Sequence, residues 1–234
     1  MDKGNLYLIP TIIGDGTQKY SLTHPISIAV KDINIFITEN IRTSRRHIKS
    51  IYNEKDIDKT TFYSYGKHND LDLERDFLTH IISGEDVGII SESGTPCVAD
   101  PGSKIVAYAH EYGINVIPLV GPSSILLALM ASGLNGQNFS FNGYLPIDKS
   151  ERKIKIKKLE ETTKRSKQTQ IFIETPYRNN QLFDALITTC NNNTKLCIAI
   201  DITTENEYIK TKTIGEWRLV KLDIQKRPAI FLIG

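Results

Sequence analysis

The stretch Val87-Gly88-Ile89-Ile90-Ser91-Glu92-Ser93-Gly94-Thr95-Pro96 closes an apolar run with glycine, hydroxyl and proline residues, then continues to Asp100-Pro101-Gly102. A short continuous apolar run bounded by turn residues reads as a buried strand, here 87–91. The segment after it, 103–112, carries the apolar spacing of an amphipathic helix. Asp100 before Pro101 supplies a helix start, because the missing proline N–H costs nothing at a first helical position. Gly113 closes that helix.

The same alternation extends in both directions. Apolar runs at 6–9, 33–38, 116–119, 139–144, 170–174, 196–200 and 229–233 read as further strands. Segments 70–83 and 179–190 read as helices, and 123–132 as a largely buried one with Ser123 as its cap after Gly121-Pro122. Strand–helix alternation with continuous apolar strands predicts an α/β fold whose sheet is covered on both faces. The prolines at 118–122 mark a boundary between two α/β domains, 1–119 and 120–234, with a cleft expected between them. A charged segment at 149–167 follows the boundary, and Asn191-Asn192-Asn193 reads as a turn.

Bulk properties narrow the function. The 234 residues are 40% hydrophobic and 24% charged, with a net charge of +2, too small to imply a polyanion by itself. Cys97, Cys190 and Cys197 form no CxxC pair, which speaks against zinc or a disulfide framework and for a reducing compartment. Histidines 24, 47, 68, 80 and 110 form no ligand pair at helical spacing, so no metal is expected. The N-terminal residues lack an apolar leader, and the longest apolar run, 125–131, falls short of the roughly 20 residues needed to span a bilayer. No membrane association is expected, and a cytoplasmic location is. Trp217 reads as a packing residue.

Three loops sit at strand ends: Pro10-Thr11-Ile12-Ile13-Gly14-Asp15-Gly16, the stretch quoted first, and Gly121-Pro122-Ser123-Ser124. In open α/β sheets, ligands bind beyond the carboxyl ends of the strands. Glycines let the backbone approach a ligand, and small hydroxyl residues bond it without filling the space. A single loop of this kind is an ordinary helix-capping turn; three of them suit a polar nucleoside-like molecule. There is no GxxxxGK[ST] phosphate loop and no GxGxxG after the first strand. This argues against a nucleotide triphosphatase, a dinucleotide dehydrogenase and the common Rossmann-type methyltransferase.

In order along the chain, these motifs resemble those of the bacterial small-subunit ribosomal RNA 2'-O-ribose (cytidine) methyltransferases of the tetrapyrrole methylase superfamily. The matching segments are Pro10–Asp15, Glu39-Asn40-Ile41-Arg42, Ser91–Pro96 with Asp100-Pro101-Gly102, Val120–Ser124, Phe141–Pro146 and Ile173–Arg178. The resemblance implies two α/β domains of this non-Rossmann methyltransferase type, usually as a homodimer, with S-adenosyl-L-methionine in the interdomain cleft. It places the cofactor against Pro10, Gly14, Ser91, Ser93, Gly94, Thr95, Ser123, Ser124, Ile173 and Thr203.

Several positions depart from the family pattern. Asn40 stands for aspartate, Ile41 for threonine and Tyr177 for histidine, and the segment from Asp201 to Glu205 reverses charge at both ends. These departures concern the methyl acceptor more than the donor. Glu39 and Glu174, each beside a family-matching arginine, are the expected catalytic carboxylates, with Arg42 and Arg178 holding a phosphate or stabilising an alkoxide. The competing reading makes each Glu–Arg pair a structural ion pair.

Two basic clusters give a footprint for RNA: Arg42, Arg45, Arg46, His47 and Lys49, and Arg152, Lys153, Lys155, Lys157 and Lys158. Such runs are also found as plain solvated helix faces. The family resemblance makes ribosomal RNA the expected substrate. C-methylation of a tetrapyrrole, or a non-catalytic module binding the donor or RNA, are the alternatives.

Overall fold

The computed structural model describes residues 2–66 and 71–234; His68 and the Asp70 start of the expected helix at 70–83 lie outside the described residues. The chain divides into two compact units, Met1–Ser123 and Ser124–Gly234. Residues 120–123 stay with the first unit because Gly121 packs on Pro10 and the Thr23 hydroxyl donates to the Val120 carbonyl.

The first unit carries β1 (Leu6–Ile9), β2 (Ile35–Thr38), β3 (Thr61–Ser64), β4 (Val87–Ile90) and β5 (Val116–Pro118), in the parallel order β3-β2-β4-β1-β5. β2 and β4 are buried along their whole length, as central parallel strands must be. Helices cover both faces. One face packs Leu6, Ile35, Ile37, Val87 and Ile89 against Phe77, Ile81, Ile105 and Ala109. The other packs Ile9, Phe36 and Ile90 against Ile26, Val30 and Ile48. The strong alternation in β1 and β2 sends successive side chains to these two layers.

Helices α1 (Gln18–Ser21), α2 (His24–Asp32) and α3 (Ile41–Ile51) precede β3. Asn40 caps α3, its Oδ1 accepting from the backbone N–H groups of Arg42 and Thr43 at 3.0 and 3.3 Å. Asparagine caps as well as aspartate, so the departure at position 40 leaves this helix start intact. The described part of the helix expected at 70–83 is a π-helical turn, Leu73–Leu78, running into α4 (Thr79–Ile82). α5 (Ser103–Glu111) begins at the residue expected for it, but with a different cap. Gly102, not Asp100, is its cap, at φ +127° where only glycine is at ease, and Pro101 lies outside the helix. Gly113 ends it at φ +61°.

The second unit opens with α6 (Ser124–Ser132) and holds β6 (Phe139–Tyr144), α7 (Lys149–Ser166), β7 (Thr169–Ile173), α8 (Asn179–Thr189), β8 (Lys195–Ile200), β9 (Tyr208–Thr213), α9 (Ile214–Trp217) and β10 (Ala229–Ile233). Its order is β6-β7-β10-β8-β9, with only β6 and β7 parallel. Unlike the parallel sheet of the first unit, this sheet is mixed. β8 and β9 are joined by a short turn, which permits only an antiparallel neighbour. The core joins Phe172, Phe231, Ile198 and Leu196 to Leu182, Phe183 and Leu186 of α8. Trp217 is fully buried, stands edge-on to Phe183, and donates from Nε1 to the Leu196 carbonyl at 2.8 Å. Among the described residues, no helix is long and apolar enough to cross a membrane.

Candidate functional site

In the first unit, β1 and β4 end side by side, in parallel register from Leu6↔Val87 to Ile9↔Ile90, so the loops after them emerge at one edge. The Thr11 N–H donates to the Gly94 carbonyl at 2.9 Å and stitches the first loop to the second. Gly94 sits at φ +76°, and a Cβ there would meet Ile13 Cγ2 and the Pro122 carbonyl oxygen, each at 3.0 Å. A Cβ on Gly121 would come within 2.2 Å of Pro10 Cβ. The three loops read from the sequence are therefore packed against one another, with glycine where they cross. Pro10, Gly14, Ser91 and Gly94 are buried in this junction, Thr95 and Ser123 are half-buried, and Ser93 is exposed. The Ser91 hydroxyl accepts from the Ser93 N–H at 3.1 Å, and Thr17 donates to the Gly14 carbonyl at 2.7 Å.

α3 closes this edge. Thr43 Oγ1 donates to Glu92 Oε1 at 2.6 Å, and the Thr38 and Ser44 hydroxyls bond each other. Together the first two loops and α3 line a cavity of about 370 Å³ that includes Thr11, Ser91, Glu92, Arg46 and His47. Glu39 follows β2 and is half-buried, its carbonyl accepting from the Ser64 hydroxyl at 3.4 Å; Arg42 is exposed on the first turn of α3.

The basic run on α3 is not uniform. Helical periodicity turns Ser44 and Ile48 inward and Arg45, Arg46 and Lys49 outward. Arg45 stands over the Phe62 ring at 5.2 Å, and Lys49 Nζ donates to the Asn53 carbonyl. His47 does not belong to the basic cluster: burial pushes its pKa down to about 4, so it is neutral near pH 7. Arg152, read with the second basic run, is likewise 3% exposed and lies beneath α7 rather than on its solvated face.

In the second unit the expected residues gather at the ends of β7 and β8. Glu174 follows β7, and its Oε1 accepts from the Thr175 N–H at 2.7 Å and from Arg178 at 2.6 Å. The Glu174 side chain is fully buried and Arg178 is 27% exposed, so this pair is an ion pair within the fold. Its other groups are uncommitted: Glu174 Oε2 and Arg178 Nε are buried without partners. Asp201 accepts from Arg227 at 2.7 Å, and Asn179 Nδ2 donates to the Arg227 carbonyl at 2.6 Å, tying the loop before β10 to both strand ends. Thr203 adopts φ +74°, a rare conformation for a β-branched residue, and its Oγ1 is buried and unpartnered. Ile173 is half-buried at the end of β7, and Tyr177 is 69% exposed. Ser124 opens α6.

Orphaned buried polar atoms mark these strand ends. Among the described residues they are Thr11 Oγ1 and His47 Nε2 in the first unit, Glu174 Oε2, Arg178 Nε, Asn179 Oδ1 and Thr203 Oγ1 in the second, and Arg152 Nε on α7. Such atoms are costly and rare in folded proteins unless a ligand or water answers them. Sequence reading missed Thr11, His47 and Asn179. The i, i+3 spacing of His47 from the inward Ser44 was the available signal for one of them. Another cavity, of about 550 Å³ near Glu160, Lys164 and Gly234, lies at the opposite end of the second sheet and touches none of the expected site residues.

Comparison with known proteins identifies the family. Residues 41–217 match the family of tetrapyrrole (corrin/porphyrin) methylases. The chain is 34% identical over 210 residues to "Ribosomal RNA small subunit methyltransferase I" of Halalkalibacterium halodurans, covering 89% of this chain and 68% of that protein. To the protein of the same name from Buchnera aphidicola it is 31% identical over 233 residues, covering 98% and 78%. In fold it is similar to the methyltransferase CobJ, with a TM-score of 0.63 and 18% identity over 99% of this chain and 94% of that one. The loops at the strand ends, with the extent of this likeness, establish that the chain belongs to the tetrapyrrole (corrin/porphyrin) methylase family and is a methyltransferase.

Proposed function

We propose that this methyltransferase transfers a methyl group from S-adenosyl-L-methionine to a ribose 2'-hydroxyl of small-subunit ribosomal RNA. The observation that carries this reading is the 34% identity to a ribosomal RNA small subunit methyltransferase over 89% of the chain. The tetrapyrrole alternative has the broad family match and the shared fold in its favour, the latter at only 18% and 15% identity.

The residues present fit such a donor. Pro10, Gly14, Ser91, Ser93, Gly94, Thr95 and Ser123 offer close-approach backbone and small hydroxyls in the first unit. Ser124, Ile173 and Thr203, with its unanswered Oγ1, offer theirs in the second. When bound, the donor supplies a methyl group on a sulfonium, which leaves as a neutral thioether.

What remains for the protein is to align the oxygen nucleophile, take up its proton and stabilise developing negative charge. Glu174 is the candidate to hold that proton, on Oε2, since Oε1 is anchored by Arg178. Glu39 is the second candidate, and Arg42 and Arg178 answer negative charge on phosphate or alkoxide. Lys153, Lys157 and Lys158, exposed on α7, supply sequence-independent affinity for the RNA backbone. We place the enzyme in the cytoplasm as a homodimer of two-domain protomers.

Methyl transfer from labelled S-adenosyl-L-methionine to undermodified small ribosomal subunits tests the reading, with uroporphyrinogen as the comparison substrate. Label in ribose of the small-subunit RNA supports it. Label in the tetrapyrrole, with none in RNA, overturns it.

A further inference from the structure

His47 is basic only in the sequence. One ring nitrogen bonds the Pro10 carbonyl, while Nε2 has no partner, so the bond belongs to Nδ1. A carbonyl only accepts, so Nδ1 carries the proton. The neutral ring therefore presents Nε2 as a lone-pair acceptor. Thr11, next in the chain to Pro10, has a buried Oγ1 that is also unanswered. Both side chains line the 370 Å³ cavity at the ends of β1, β2 and β4.

The cavity's remaining polar lining is rich in acceptors. Asp15 and Glu92 are carboxylates, Thr43, Ser44 and Ser91 carry hydroxyls, and Arg46 is the one guanidinium. Two carboxylates against one cation disfavour a polycarboxylate ligand such as a tetrapyrrole. They suit a ligand with several O–H and N–H donors and little negative charge of its own at that point. A nucleoside has this character: sugar hydroxyls and base amines on a compact frame. The volume lies within the roughly 300–1,000 Å³ of small-ligand pockets.

We propose that this cavity is a nucleoside subsite in which His47 Nε2 accepts a hydrogen bond from a hydroxyl or amine of the bound nucleoside, with Thr11 Oγ1 beside it. Two sources share that chemistry, a nucleotide of the RNA acceptor and the adenosine half of the methyl donor. The subsite deepens the ribosomal RNA reading, while its donor arm stands without it.

The test compares His47→Leu, which fills the space without an acceptor, with His47→Gln, whose amide oxygen can replace Nε2. Affinity for S-adenosyl-L-methionine is read by calorimetry and affinity for undermodified small subunits by filter binding. His47→Leu should weaken one of the two about tenfold and leave the other within twofold. His47→Gln should recover to within about threefold of wild type. Loss confined to the subunits assigns the cavity to the acceptor, and loss confined to the donor assigns it to adenosine. Neither affinity changing, with thermal unfolding unaltered, overturns the proposal and leaves a buried water as the answer to Nε2. If His47→Leu fails to fold, Thr11→Val removes the neighbouring hydroxyl at constant shape and is read the same way. A wild-type protein that binds both ligands yet methylates no RNA would defeat the ribosomal RNA reading while leaving these affinity ratios decisive.

Discussion

Gly121→Ala is the sharpest test of whether the loop junction in the first unit is functional. The added methyl carbon would lie 2.2 Å from Pro10 Cβ and 2.5 Å from Pro10 Cγ, far inside the 3.4 Å at which ordinary contact begins. Pro10 cannot relieve this by changing rotamer, because its ring is fused to the backbone. The two loops must therefore part by roughly 1 Å, a misplacement of the size that costs an enzyme about a hundredfold in rate. The overpacking itself destabilises the unit by about 1–3 kcal/mol.

The expected outcome is donor affinity or single-turnover methyl transfer lowered about a hundredfold, while the protein stays folded with a modestly reduced urea midpoint. Gly136→Ala is the matched control. Nothing lies within 4 Å of a Cβ there, and its φ is not in the left-handed range. It should be neutral, or stabilising by about 0.4–1 kcal/mol through the unfolded chain. Wild-type donor affinity and turnover in Gly121→Ala, with only stability changed, would refute the assignment of this junction to the cofactor.

Other outcomes follow from individual environments. Glu174→Gln should lower single-turnover methyl transfer by about 10²–10⁴-fold if the carboxylate takes the proton; an unchanged rate would leave Glu174 and Arg178 as a structural pair. His47 has a folded pKa of about 4 against 6.5 for the free group. The unfolded chain therefore binds more protons between those values, and stability present above pH 6.5 is lost as pH falls toward 4, by about 3 kcal/mol in all. Urea unfolding of His47→Gln across that window should show a correspondingly flatter pH dependence. Glu160 accepts from the Asn191 N–H at 2.7 Å, from Asn191 Nδ2 at 2.6 Å and from Thr194 Oγ1. Glu160→Gln sets an amide N–H against those donors and should cost about 1–3 kcal/mol in denaturant unfolding. Burial pushes the Cys97 and Cys190 thiols up to about 11 and about 12, so alkylation of the native protein at pH 8 should be far slower than of the unfolded chain.

Legibility of the fold followed burial. Strands β4 and β10, and β8 beyond Lys195, are apolar along their length and lie inside their sheets, so their sequences announce them. The strands that escaped notice are edges. β9, Tyr-Ile-Lys-Thr-Lys-Thr, closes one side of the second sheet, and its Lys210 and Lys212 read as a loop although they suit an unpaired edge. β3, Thr-Phe-Tyr-Ser, is the corresponding edge of the first sheet, with its first residue exposed. α2 also went unread, although Pro25 after Thr23 carried the start signal now seen there. The mixed pairing of the second sheet was hidden because an apolar run carries no direction; only the short connection from Ile200 to Tyr208 does.

The site was legible where chemistry is written in glycine and hidden where it is written in burial. Gly94 and Gly121 signal loop crossings because no other residue fits them, and the loops that carry them do pack on one another. Thr203 holds an equally special backbone, φ +74°, with a side chain that gives no such signal. His47 is the stronger case. Residue by residue, Arg42 to Lys49 reads as one cationic surface, yet a helix distributes its members by angle rather than by order. Ser44, His47 and Ile48 share the inward arc, so the only histidine of the run loses its charge while Arg46, its immediate neighbour, keeps a place at the cavity. The departures from the family pattern separate on the same ground. Asn40 does an aspartate's work as a cap, whereas Tyr177, 69% exposed beside Arg178, has no internal duty that would account for it. A change at a capped helix start conserves the fold, while one at an exposed side chain next to the Glu174–Arg178 pair changes only the surface presented there.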